Sequence, residues 1–260
     1  MESIFPDKCI RFSGKELAAM KIDAAPDYYV RKGKNIVLVE SKDFLIAADK
    51  KMSFDFNVYE EEFGRVLDFE ELPDGKIKPK AVVQLINSIR KILKNEFSAD
   101  TDYHYKDVFI YPVLLTHDHQ YDTPGFNELI DFWFQDALSE LADEGLFIHH
   151  IKPLSVVNID SLIYNQVGLS NGIPLHEMLS LYHENKKVEK QKKKNFKSQA
   201  EYDQYLEEYK QMRMSKLIPF SMFLDKYFHK QGLWKLPPLL ELVAPALFKE
   251  EYEAKEAGKS

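Results

Sequence analysis

The segment from Pro26 to Lys42 constrains the fold of this chain most strongly, because it has the pattern of a β-hairpin that leads into a buried strand. Residues 28–30 are aromatic or β-branched, and residues 31–35 form a polar stretch that contains a glycine. Residues 36–39 are continuously apolar, as is typical of a strand whose two faces are both covered. A polar, glycine-containing stretch between two β-prone runs predicts a hairpin turn.

Charged residues stand at both ends of this predicted hairpin. Asp27 precedes the first strand, whereas Glu40 and Lys42 follow the apolar run of the second. A hairpin brings its ends together, and residues 40 and 42 of one strand point to the same face of the sheet. We therefore expect Asp27, Glu40 and Lys42 to converge. The alternative is a surface hairpin with solvated charges, but charges directly after a buried strand favour a functional cluster.

Two carboxylates and a lysine are the groups that metal-dependent phosphodiester hydrolysis needs. Asp27 and Glu40 offer hard oxygen ligands to Mg²⁺ or Mn²⁺, with several waters still bound to the metal. Such a metal lowers the pKa of an attacking water and neutralises the scissile phosphate. Lys42 would orient that water or stabilise the developing charge. The sequence thus predicts a metal site at Asp27 and Glu40, with Lys42 as its catalytic partner.

The order Pro-Asp, twelve residues, Glu-Ser-Lys resembles the motif of the PD-(D/E)XK nuclease superfamily, over about residues 13–118. That superfamily includes type II restriction enzymes, exonucleases and many phage-defence effectors. The resemblance implies an α/β fold of the restriction-endonuclease-like kind, with a central mixed sheet flanked by helices. It also implies a Mg²⁺-dependent nuclease of phage defence or DNA processing, with DNA rather than RNA as substrate because the superfamily mostly cuts DNA.

A helix and a strand predicted after the motif extend the resemblance. Residues 79–93 have apolar side chains at helical spacing, with a proline near the first turn. Several families of the superfamily carry a glutamine on the helix that follows the Glu-x-Lys strand, and Gln84 matches that position. The resemblance implies that Gln84 assists catalysis, and the alternative is a solvated glutamine. The apolar strand at 107–115 would complete the central sheet.

The region before the motif departs from the superfamily pattern, which runs helix, strand, strand, strand, helix, strand. Only five residues separate Met20, near the end of a short predicted helix at 13–21, from Pro26. The first strand is therefore lost, or is supplied by residues 9–12 in another order, or belongs to a longer protein of which this chain is the C-terminal half. Glu16 on the short helix is a weaker candidate for the extra acidic residue that some members use.

We divide the chain into a nuclease-like core, residues 1–160, and a helical C-terminal region, residues 161–260. Helices are expected at 198–214 and 219–230, and the aromatic side chains of the second have the spacing of a packed face rather than of a base-stacking platform. A dense run of lysines precedes them. Its members would track a phosphate backbone, or would be a solvated connection, as charge runs usually are. The nucleic-acid-binding candidates are Lys190, Lys192, Lys193 and Lys194.

Composition bounds the partners of this protein. Its formal net charge of −7 excludes a surface coated in basic residues, so DNA would meet a local patch or be presented by a partner subunit or a second copy. The single cysteine, Cys9, excludes a disulfide framework and a cysteine-built zinc site and indicates a reducing compartment. Because the sequence has no secretory leader and no apolar run near twenty residues, we expect a cytoplasmic protein that does not bind a membrane.

Two alternatives accompany the nuclease interpretation. His117, Asp118 and His119, with Asp122 nearby, have metal-ligand chemistry, but neighbouring residues on a strand face opposite ways and no E-x-x-H or H-E-x-x-H pattern is present, so a polar loop is favoured. The adjacent pair at 149–150 has the same difficulty and is assigned no role. As a whole, the chain would also suit a non-catalytic protein that keeps the nuclease fold as a scaffold within a larger assembly.

Overall fold

The structure, a computed structural model, describes residues 4–5, 8–23, 25–188, 196–237 and 240–243. In chain order the strands are β1 (Ile10–Ser13), β2 (Tyr28–Lys32), β3 (Asn35–Lys42), β4 (Phe69–Glu71), β5 (Ile77–Pro79), β6 (Phe109–Thr116) and β7 (Ser155–Asn158). The α-helices are α1 (Gly14–Ala19), α2 (Ala48–Lys51), α3 (Phe56–Phe63), α4 (Ala81–Leu93), α5 (Phe126–Asp143), α6 (Ile159–Tyr164), α7 (Gln166–Asn171), α8 (Leu175–Lys186), α9 (Gln199–Lys216) and α10 (Phe220–Gln231). A π-helical turn (Gly64–Asp68) follows α3, and a 3₁₀ turn (His119–Tyr121) follows β6.

The described part of the chain is an α/β fold built on a five-stranded mixed sheet of order β1-β2-β3-β6-β7. Strands β1, β2 and β3 are antiparallel neighbours, whereas β3, β6 and β7 run parallel. The predicted hairpin is confirmed. Its turn consists of Gly33 and Lys34 between the paired residues Lys32 and Asn35, and Gly33 has a φ of +59°, which glycine adopts at little cost.

The strand missing from the predicted order lies before the first helix. Residues Ile10–Ser13 pair with β2 and form the edge of the sheet, as one of the three alternatives anticipated. Ser13 then starts α1 through a capping box, in which its Oγ accepts from the backbone N–H of Glu16 at 3.4 Å and its own N–H donates to the Glu16 carboxylate at 2.7 Å. The chain therefore runs strand, helix, strand here, because the local capping signal allows a helix to start where β1 ends.

One face of the sheet is covered by α4 and α5. The alternate apolar residues of β3 and β6, together with those of β2, pack against the apolar stripe of α4 and the inner face of α5. Side chains that continue this alternation past Leu38 in β3 are Glu40 and Lys42. They therefore leave the sheet on the face that α4 covers, at the carboxyl end of the strand.

The opposite face of the sheet is covered by helices from the C-terminal part of the chain. Apolar side chains of β2, β3, β6 and β7 form a second buried layer with α7, α8 and α10. Within α10, Phe220, Leu224 and Phe228 are fully buried, which confirms that this aromatic spacing serves packing. No helix among the residues described has both the length and the apolar character needed to cross a bilayer.

Candidate active site at the end of the β2 and β3 hairpin

Asp27 and Glu40 lie side by side at the open end of the hairpin. Tyr28 pairs with Val39 in the β2 and β3 ladder, so one further step along both strands places Asp27 opposite Glu40. Glu40 is buried, with 3% of its surface exposed, whereas Asp27 is exposed. The pair thus has one carboxylate in the protein interior and one at the surface.

Lys42 joins Glu40 to the helix that covers it. Its ammonium Nζ donates to Oε1 of Glu40 at 2.7 Å and to Oε1 of Gln84 at 2.9 Å. Gln84 lies in the first turns of α4, and the packing of α4 on β3 brings it over the strand end. The structure therefore brings together Glu40, Lys42 and Gln84, the three residues that the sequence predicted for the site. Lys42 and Gln84 lie 42 residues apart in the chain, on a strand and on a helix.

Asp27 is held by two backbone amides. Oδ2 of its carboxylate accepts from the N–H of Ser41 at 2.8 Å, and its carbonyl oxygen accepts from the N–H of Gly14 at 2.7 Å. Gly14 permits this approach, because a Cβ at that position would lie 3.3 Å from both the Cα and the carbonyl oxygen of Asp27. The first residue of α1, which follows the edge strand β1, thus fixes the backbone of Asp27.

The electrostatics of Glu40 are unusual for a glutamate. Burial, joined by the neighbouring charge of Asp27, raises its pKa to about 7. The hydrogen bond and positive charge of Lys42, and a hydrogen bond with the backbone of Asp27, act in the opposite direction and limit the rise. The negative charge of Glu40 is therefore only partly compensated by the side chains around it, and further positive charge beside it would favour the ionised form.

His117 is a neighbour of the site that sequence reasoning did not include. Its Nε2 lies 2.8 Å from Oγ of Ser41 in a hydrogen bond that links the ends of β3 and β6. Strand alternation places the Ser41 side chain on the face opposite Glu40, yet the backbone of the same serine binds Asp27. A usable signal existed: the carboxyl ends of neighbouring parallel strands meet at one edge of a sheet, and His117 directly follows β6.

The other candidates from the sequence have different surroundings. The Glu16 carboxylate is used by the capping box of α1, which lowers its pKa. Nε2 of His119 lies 2.8 Å from Oδ2 of Asp160. His149 and His150 contact the ring of Phe147. In the described part of the chain, no group of three or more His, Cys, Asp or Glu side chains is arranged to hold a metal ion.

The proposed phosphate contacts lie in another part of the chain. Lys190, Lys192, Lys193 and Lys194 are outside the described residues, so their role in binding nucleic acid stays a prediction. The comparisons with known proteins add no further constraint. No family model, no curated protein and no solved structure matches this chain.

Proposed function

We propose that this protein is a metal-dependent nuclease that hydrolyses phosphodiester bonds at the cluster of Asp27, Glu40, Lys42 and Gln84. The observation that carries the proposal is the ammonium of Lys42, which hydrogen-bonds both Glu40 of its own strand and Gln84 of the covering helix. A solvated surface lysine usually samples many conformations in water. A catalytic lysine must be held in one position, and the two hydrogen bonds of Lys42 hold its ammonium group in this way.

The order of elements supports the same proposal. An acidic residue precedes β2, Glu-x-Lys ends β3, a helix with an inward glutamine follows, and β6 returns parallel to β3. These are the relative positions that the resemblance to the PD-(D/E)XK superfamily implies. The edge strand β1 before α1 is the departure from that pattern, and it lies on the far side of β2 from the Glu-x-Lys strand.

The donor set suits Mg²⁺ or Mn²⁺. In this proposal Asp27 and Glu40 hold the ion, and Mg²⁺ commonly binds one or two carboxylates together with waters and substrate phosphates rather than a full protein cage. The incompletely compensated charge of the buried Glu40 favours a nearby cation. When bound, the ion would activate a water and neutralise charge on the phosphate.

The side chains of this protein supply the positioning. An ammonium group has three donor hydrogens, and Lys42 uses two of them on Glu40 and Gln84. The third is left for the attacking water or a phosphate oxygen, and the lysine side chain is 23% exposed, which allows such contact from solvent. Gln84 acts through Lys42, because its amide oxygen restricts where the ammonium can lie.

DNA is the substrate we propose, and delivery by a partner subunit or a second copy is part of the proposal. The preference for DNA rests on the resemblance, since no base-reading element is recognisable. The net charge of −7 makes tight binding of free duplex by the isolated chain unfavourable. Low activity of the chain alone, increasing when a partner presents the substrate, is therefore expected.

The test is a comparison of Lys42→Met with Lys34→Met, which changes an exposed lysine in the turn of the same hairpin. Cleavage of labelled DNA and RNA is measured with Mg²⁺ and with Mn²⁺. We expect Lys42→Met to lose activity by about 10²-fold or more while Lys34→Met stays near wild type, because only Lys42 touches the reacting groups. Asp27→Ala and Glu40→Ala should both be inactive.

Two results would contradict the proposal. Turnover near wild type in Lys42→Met would mean that the Glu-x-Lys pattern is a coincidence. A wild-type protein that cuts neither DNA nor RNA under either metal, with co-purifying partners present, would favour the non-catalytic scaffold. Circular dichroism of each variant separates loss of chemistry from loss of fold.

A further inference from the structure

The segment that follows the Glu-x-Lys strand exposes large apolar side chains. Leu45 is 68% exposed, Met52 74%, Phe54 88% and Phe56 64%. Three of these four lie within five consecutive residues, so even a fully extended chain would keep their Cα atoms within about 14 Å of one another. We call residues 45–56, which include the short helix α2 and the first residue of α3, the apolar loop. At about 150–250 Å² for an aromatic side chain, the exposed apolar area summed over these four side chains is on the order of 400 Å².

The backbone of the apolar loop is held by several contacts, although its apolar side chains are exposed. Ile46 is buried in the core, and the hydroxyl of Tyr59 donates to the carbonyl of Lys51. Ser53 Oγ donates to the carbonyl of Lys50 at 2.7 Å, and Asp55 caps α3 by accepting from the N–H of Asn57 at 2.9 Å. These contacts hold the backbone while the apolar side chains project outward.

Phe54 has a strained backbone. Its φ of +51° lies in the left-handed region, which costs a residue other than glycine on the order of 1 kcal/mol or more. A bulky aromatic side chain gains nothing from such a conformation when its ring is left in water. Strain of this kind persists where the surrounding structure imposes it and is concentrated at functional positions.

The charges around the apolar loop are mostly negative. Residues 43–61 contain five carboxylates against two lysines. Lys50 forms an ion pair with the buried carboxylate of Glu62, so Lys51 is the one exposed lysine of this range. Exposed carboxylates at Asp43, Asp49 and Glu60 remain around the apolar side chains. The surface therefore combines aromatic and aliphatic groups with negative charge.

This combination selects among possible occupants. Aromatic side chains that stack on nucleic-acid bases are accompanied by cations that track the phosphates, and here phosphates would meet carboxylates. A second copy of this chain carries a net charge of −7, which opposes its approach as a whole molecule; because it also carries the lysine run, it is one of the outcomes that the test below distinguishes. A protein segment with basic and apolar side chains is attracted by both features.

We propose that the apolar loop is a docking surface for a basic, amphipathic segment of a partner protein. This inference does not depend on nuclease activity. It places the partner on the segment that follows β3 in the chain, three residues after Lys42.

The experiment uses the full chain and a pair of labelled synthetic peptides. One is an amphipathic peptide of leucine, phenylalanine and lysine, and the other has the same apolar residues with glutamate in place of lysine. Fluorescence anisotropy should show binding of the basic peptide, weakened by salt, and no binding of the acidic one. Met52→Ser with Phe54→Ser should weaken binding by about tenfold or more, since buried anchors dominate such interfaces.

Matched variants make the result specific. Phe132→Ser removes a similarly exposed phenylalanine on α5 and should leave peptide binding unchanged. Asp49→Lys with Glu60→Lys keeps the apolar side chains and should weaken binding of the basic peptide by reversing the local charge. This second variant also decides the outcome if the serine variants fold poorly.

Several outcomes would overturn the proposal. They are failure of the basic peptide to bind, equally strong binding of the acidic peptide, and a loss of basic-peptide binding in Phe132→Ser as large as that in the Met52→Ser and Phe54→Ser variant. Self-association that the Met52→Ser and Phe54→Ser changes abolish in analytical ultracentrifugation would assign the surface to a second copy. DNA binding that the same changes abolish would assign it to nucleic acid.

Discussion

At the scale of single residues, the position of the candidate metal ligand Asp27 depends on a glycine in another element. The amide of Gly14 donates to the carbonyl of Asp27, and the absence of a Cβ allows α1 to start against the backbone of β2. On the other side, the amide of Ser41 holds the carboxylate. Asp27 therefore lies between two backbone donors, and a change in either would move this candidate ligand.

We predict that Gly14→Ala reduces the affinity for Mn²⁺ and the cleavage rate, each by about 2- to 10-fold, because a shift of a few tenths of an ångström at a proposed catalytic group is costly. The added methyl would have to push the Asp27 backbone away from contacts of 3.3 Å. The fold should survive, since alanine favours a helix more than glycine does. Isothermal titration with Mn²⁺ and a cleavage assay measure the two effects.

The control for this change is Gly64→Ala, where an added Cβ meets nothing within 4 Å. Equal metal affinity in wild type and Gly14→Ala, with normal cleavage, would show that Asp27 does not need this support. Loss of activity in both variants would point to a general loss of stability instead.

At the scale of elements, the π-helical turn and α5 bring three carboxylates together in one cleft. Asp68 ends the π-helical turn, and Asp136 and Glu140 project from α5 into the same cleft, which also contains Trp133. Burial, with the charges of these two neighbours, raises the pKa of Asp68 to about 6. The packing of the two elements therefore opposes ionisation of this side chain.

A pH dependence of stability follows from that shift. The folded state keeps a proton on Asp68 that the unfolded chain releases near pH 4, so this residue lowers the free energy of unfolding as pH rises from about 4 to about 6. We predict that Asp68→Asn raises the free energy of unfolding by about 1–3 kcal/mol at pH 8 and has little effect at pH 4. Urea unfolding at the two pH values measures the difference.

Asp143→Asn, which changes an exposed carboxylate near the end of α5, is the control and should show no such dependence. The same effect at both pH values in Asp68→Asn would indicate a packing change and would argue against a protonated Asp68.

At the scale of the whole molecule, the sheet needs both of its covering layers. Val37 and Val39 precede Glu40 in β3 and point to the opposite face of the sheet. There they belong to a buried cluster with helices that lie beyond residue 160 in the chain. Leu224 and Phe228 of α10 belong to the same buried cluster, in which α8 contacts β3 and α10 contacts β7. The strand that carries the candidate site is therefore stabilised by the part of the chain that we had divided from the core.

We predict that a fragment ending at residue 160 does not fold, because one face of its sheet would be exposed to water. Phe228→Ala in the full chain should cost about 3–5 kcal/mol of unfolding free energy for the same reason. Circular dichroism and size-exclusion chromatography of the fragment, and urea unfolding of the variant, are the measurements. A folded, monomeric fragment would instead support a separable core at residues 1–160.

Local patterns in the sequence determined a large part of this fold. Alternation within β3 places Glu40 and Lys42 on one face, the polar stretch with Gly33 makes the turn, and helical spacing orients α4 with Gln84 towards the sheet. These features depend on backbone geometry over a few residues, and so they can be read before any tertiary contact is known.

Only the tertiary structure decided the remaining features. Ile10–Ser13 became the edge strand through pairing with β2 across an intervening helix, and Ser41 met His117 across two parallel strands. The raised pKa of Glu40 likewise comes from burial under elements distant in sequence. Strand pairing, burial and desolvation depend on which segments meet in space, and that is set by the sum of many contacts across the whole molecule rather than by any local pattern.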